Sequence, residues 1–141
     1  MEEIFTTVNI VALSSWLLLA IFPYRKWSKK VLLSLVIFGL SILYTTLMIS
    51  YFDPGTMDQF STVKGLVALF GNQDTVVIGW IHYLAFDLLA GIYITSQAEK
   101  IKLNRILLTL CLVFTFMMGP LGFLLFLIIR SIKTKRLLHD F

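Results

Sequence analysis

One cysteine, three prolines and two histidines are all that 141 residues offer of the types that staple, break or ligate. A single thiol, Cys111, excludes an internal disulfide and any thiolate metal cluster built from this chain alone; within an apolar run it reads as a structural thiol. Charge is scarce too. Charged residues make up 14% of the chain and hydrophobic ones 58%, which leaves too little polar surface to coat a water-soluble globule of this size. Also missing are a glycine-rich nucleotide loop, a Ser, His and Asp set, a redox cysteine pair, and the His-x-x-x-His or Glu-x-x-His spacing of a metal-binding helix. His82 and Asp87, with Glu99 or His139 as further ligands, therefore make a poor metal site, and no metal or cofactor is expected. The 12 Lys and Arg stand in short stretches beside apolar segments, with no aromatic interleaving, which fits membrane topology and not nucleic-acid binding.

What the chain does have is long apolar runs. Its mean hydropathy is +0.88, and the pattern predicts an all-α integral membrane protein, one bundle over residues 1–141 with the lipid bilayer as its partner. Roughly 20 apolar residues cross a bilayer, so four transmembrane helices are expected, over residues 4–22, 31–52, 76–95 and 103–129. Glu2 and Glu3 precede the first and Pro23-Tyr24-Arg25-Lys26 follow it, the reverse of a cleaved signal peptide, so this helix is retained. Asn9, Ala12, Leu13, Trp16 and Ala20 form one stripe on it, and the Asn9 amide needs either a partner helix or a ligand. On the second span, Ser41, Tyr44, Thr45 and Met48 share a face that glues helices or lines a pocket.

The second loop opens on the turn signal Asp53-Pro54-Gly55. Phe60, Val63, Val67 and Phe70 then fall on one helical face, which predicts a short amphipathic helix lying on the membrane surface or capping a cavity. In the fourth run, Gly119-Pro120-Leu121-Gly122 predicts a kink, with either tight packing or room for a bulky ligand beside it. Arg25, Lys26, Lys29, Lys30, Lys100, Lys102 and Arg105 place the first and third loops in the cytoplasm and the N-terminus outside; the second loop holds only Lys64. With four spans, however, Arg130, Lys133, Lys135 and Arg136 would fall outside, against the same rule.

The stretch with chemical content lies in the third span. A carboxylate at mid-helix costs about 2.5 to 3.5 kcal/mol, so Asp87 must face protein, a partner or water. Trp80, Tyr83, Asp87, Gly91 and Ile94 follow at spacings of 3 or 4 and share one face. His82 is five residues before Asp87, so the two would line adjacent walls of a cavity rather than stack. Such a pair serves as general acid and base, or fixes the register of the bundle through hydrogen bonds.

Trp80-Ile81-His82, with Asp87-Leu88 beyond, resembles the neoxanthin-synthase family, the abscisic-acid-deficient proteins of plant carotenoid metabolism and their bacterial relatives. Supporting matches run along most of the chain: the stripe from Asn9 to Trp16 ending at Pro23, Asp53-Pro54, Phe70, Leu110-Cys111-Leu112 and Pro120-Leu121-Gly122. The resemblance implies a four-helix membrane protein that converts or isomerises carotenoids. Opening an epoxide to an allenic alcohol is redox-neutral: Asp87 would protonate the oxygen and His82 would remove a nearby proton. Asn9, Trp16, Tyr44, Trp80, Tyr83, Thr115 and Pro120 would hold the hydrophobic isoprenoid ligand. A non-catalytic accessory protein that binds a carotenoid, quinone or other lipid is the alternative. The chain starts almost directly at its first span, where plant members carry a plastid transit extension, so a multi-pass protein of a bacterial cell membrane is expected.

Overall fold

A long apolar segment can satisfy its backbone hydrogen bonds internally as helix, and this chain does so. The computed structural model describes residues 1–51, 53 and 55–135; Phe52, Pro54, Arg136 and His139, which figure in the expectations above, lie outside them. In chain order the helices are α1 (Glu2–Ile21), α2 (Lys26–Tyr51), α3 (Thr56–Gln59), α4 (Val63–Phe70), α5 (Gln73–Lys100), α6 (Arg105–Met118) and α7 (Pro120–Thr134). Within α2, residues Leu32–Ile37 take wider π-type turns without interrupting the rod. Three of the starts are capped by side chains: Thr62 accepts from Gly65 N, Asn72 from Asp74 N and Asn104 from Ile106 N, at 3.0, 2.8 and 2.8 Å.

α1, α2 and α5 are long and apolar enough to cross a membrane. Of the three, α5 is the axis: 44% of its apolar window is buried, against 28% for α1 and 11% for α2. Gly91 of α5 admits α1 closely, since a Cβ there would meet the Trp16 ring at 2.7 Å.

The fourth apolar run departs from the expected span. Gly119, at φ +35°, ends α6 and starts α7, and the chain turns back on itself there. A Cβ on Gly122 would overlap the Thr115 nitrogen and hydroxyl and the Cys111 carbonyl, so the two helices lie against each other. Their far ends also meet, with Lys133 Nζ donating to the Lys102 carbonyl at 2.6 Å. The run at 103–129 is thus a helical hairpin and not one membrane-length helix. Its arms, of 14 and 15 residues, are each about 20 Å long, short of a hydrocarbon core of about 30 Å. The physical cause is Gly119-Pro120: proline removes a donor, and glycine takes a backbone conformation that other residues resist.

Packing follows this division. One core cluster joins the hairpin to the inner halves of the long helices through Trp16, Leu19, Leu88, Cys111, Leu112 and Phe126. The other, Val8, Ala12, Leu40, Val77, Ile81, Leu84 and Ala85, draws on α1, α2 and α5 alone. The molecule therefore has an end built from five helices and an end built around three. At the five-helix end the loops are tied together. Arg105 donates to the Ile21 carbonyl at 2.8 Å, Lys29 pairs with Glu99 at 2.5 Å, and the Tyr24 hydroxyl donates to the Leu103 carbonyl at 3.2 Å. Burial, with Glu99 nearby, pushes the Tyr24 hydroxyl above its ordinary pKa and keeps it a donor.

At the opposite end, α4 turns Val63, Val67 and Phe70 outward, with exposures of 78, 69 and 50%. Val63 and Val67 point away from the protein, as in a helix resting on a membrane surface, while the half-exposed Phe70 ring lies against Gly79 of α5.

Candidate functional site at the hairpin tip

From Asp87 to Lys100, α5 runs about 20 Å, which matches the length of α6. The hairpin turn therefore arrives level with Asp87. A Cβ on Gly119 would stand 2.5 Å from Asp87 Oδ1, so the carboxyl lies directly on the glycine. No side chain caps α7, which begins at this point, and the carboxyl faces the positive end of that helix. Asp87 Oδ2 is buried and has no hydrogen-bond partner among the described residues.

Around this carboxyl stand aromatic groups one and two turns earlier on α5. The Tyr83 hydroxyl is near enough to interact with Asp87 and reaches the Met117 carbonyl of the turn at 3.5 Å. The Tyr83 ring stacks on Trp80, with centroids 5.2 Å apart. Trp80 in turn donates its indole N–H to Asn9 Oδ1 at 3.0 Å and packs beside Phe5. Because α6 and α7 stop at the level of Asp87, they leave this outer stretch of α5 uncovered, and Trp80 is 37% exposed. The result is a step in the bundle. Its floor is the turn at Gly119 and Pro120, and its wall is Asn9, Trp80 and Tyr83.

Asn9, Trp80, Tyr83, Asp87 and Pro120 are thus brought together. Two further candidates sit beneath them. Trp16 packs against Phe116 at 5.6 Å and into the space left by Gly91. Thr115 is fully buried inside the hairpin and donates to the Cys111 carbonyl at 2.8 Å. His82 and Tyr44 are not part of this group. His82 is exposed on the α2 side of α5, between the Tyr44 ring at 5.5 Å and Phe86 at 4.6 Å. Ser41 and Thr45 are exposed on α2, and Thr45 donates to the Ser41 carbonyl in its own helix. Among the described residues, no three His, Cys, Asp or Glu come together to hold a metal ion.

Sequence reasoning did not place Gly119 and the Met117 carbonyl in the site. The available signal was the Gly-Pro pair 16 residues after the start of an apolar run that is overlong for a single span.

The arrangement is a partly buried acidic group at a helix turn, beside an aromatic wall that is itself partly exposed. No curated protein and no solved structure matches the chain. Residues 3–126, from the start of α1 into α7 and across every group just described, fit the sequence profile of the ABA DEFICIENT 4-like family, and the chain belongs to that family.

Proposed function

We propose that this protein acts within the membrane on a carotenoid or related isoprenoid lipid, by redox-neutral proton transfer centred on Asp87. The family relates to the carotenoid and abscisic-acid pathway, which supplies the substrate class. The observation that carries the chemistry is the Asp87 carboxyl at the hairpin tip, whose Oδ2 is buried and has no hydrogen-bond partner among the described residues. A neutral carboxyl can give a proton to an oxygen or polyene carbon with one oxygen and accept a proton from a neighbouring carbon with the other. The ligand gains one proton and loses one, so the product is an isomer. Tyr83 orients the carboxyl, and Trp80, Asn9 and Pro120 bound the ligand.

In this reading α1, α2 and α5 cross a bacterial cell membrane with the N-terminus outside, and the hairpin enters and leaves on the cytoplasmic side. Arg130, Lys133 and Lys135 then join the basic residues of the first and third loops, and the charge conflict of a four-span arrangement disappears. The step lies in the outer leaflet, where lipid-soluble ligands reach it laterally.

The second reading, a protein that holds the isoprenoid without converting it, is favoured by the position of His82, which meets Tyr44 and Phe86 instead of Asp87. Expression in a carotenoid-producing host separates the two. Catalysis predicts a changed pigment profile that Asp87→Asn restores to that of the empty host. A holder leaves the profile unchanged while pigment co-purifies with the protein.

A further inference from the structure

A cavity lies at the other end of α5, away from the hairpin. It is a cleft of about 260 Å³ between the outer ends of α2 and α5 and the short helices α3 and α4. Tyr51, Thr56, Gln59, Asn72 and Thr75 supply its polar lining, and Ile78 is among its apolar residues. The polar groups are hydroxyls and amides without charge, and among the described residues no Lys or Arg lines the cleft to neutralise a phosphate or carboxylate. Among the described residues, the side chains of Thr56, Gln59 and Thr75 bond to nothing, so their capacity is open. The volume is just below the range of about 300–1,000 Å³ for whole small-molecule ligands, and it admits one ring or chain end of a larger molecule. The outward apolar face of α4 places the cleft at the boundary between lipid and water, where the polar end of an amphiphile resides.

We infer that this cleft seats the uncharged hydroxyl or carbonyl end of a long apolar lipid, apart from the Asp87 centre. The choice of isoprenoid probes rests on the function proposed above; the selection of neutral over anionic ends rests on the lining alone. The test uses the full chain in nanodiscs, with retinol and retinoate as polyene probes that differ in the charge of one end, read by energy transfer from tryptophan. Retinol is expected to bind at least tenfold more tightly than retinoate. Ala68→Phe, which fills the cleft from an exposed position on α4, should weaken retinol binding about tenfold, and Gln59→Ala should weaken it severalfold. Asp87→Asn should leave retinol binding intact. Its effect on pigment conversion therefore fails or succeeds separately from this result. Equal affinity for the two probes, or retinol binding unchanged in both cleft variants, overturns the inference.

Discussion

The two ionisable groups of α5, five residues apart, live in different surroundings. Asp87 lies under the turn of a hairpin that ends beside it, with one carboxyl oxygen buried and unpaired. His82 is exposed and looks outward between the rings of Tyr44 and Phe86. They stand about 7.5 Å apart along the helix axis. What separates them is which neighbour covers each face: on one side the long helix α2, on the other a hairpin that stops halfway. A polar group beside a continuous helix is part of the packing, whereas one beside a helix end meets unpaired backbone groups.

This contrast sets the order of expected effects. Asp87→Asn keeps the shape and removes the exchangeable acid, so conversion of pigment should fall by about 100-fold or more, with the thermal unfolding temperature in detergent little changed. Activity retained in that variant would remove the proposed chemistry. Gly119→Ala should cost stability, about 1–3 kcal/mol, because it forces a side chain to φ +35° and pushes a methyl onto the carboxyl; thermal unfolding measures it. A silent Gly119→Ala would mean that the turn does not press on Asp87. Trp80→Phe keeps most of the wall but loses the bond to Asn9, and about 0.5–1.5 kcal/mol of stability is expected to go with it. Smallest of all is His82→Phe, which should alter stability by less than about 0.5 kcal/mol and leave the pigment profile as it was. A loss of activity there equal to that of Asp87→Asn would return the imidazole to the mechanism and erase the distinction.

Much of this was legible in the chain. Composition and run length gave the apolar helices, and the spacing of Val63, Val67 and Phe70 gave the short helix α4, whereas Phe60, expected on the same face, caps the end of α3 instead. The family followed from Trp80-Ile81-His82 and Pro120-Leu121-Gly122 together, and residues 3–126 bear it out. The hairpin was harder to see. A kink and a reversal are both written as Gly-Pro in an apolar run, and only the contacts of Gly122 with Cys111 and Thr115 tell them apart. The basic tail carried the missing hint, since Arg130, Lys133 and Lys135 fit the charge rule only if the last run returns to the side from which it came. The faces of α5 were less legible still. Helical spacing put Trp80, Tyr83 and Asp87 together, but it did not say that His82 would meet Tyr44, because the position of α2 depends on tertiary packing.

Everything in the account depends on the fourth run dipping to Asp87 and coming back. Spin labels at Lys102 and Lys133, in a chain with Cys111→Ala and reconstituted in lipid, measure this by dipolar spectroscopy. A hairpin keeps the two sites together, as the 2.6 Å contact between them requires, whereas a straight helix separates them by about 45 Å. A short distance is the predicted result. A long one would place the tail across the membrane, take the turn away from Asp87 and contradict the account.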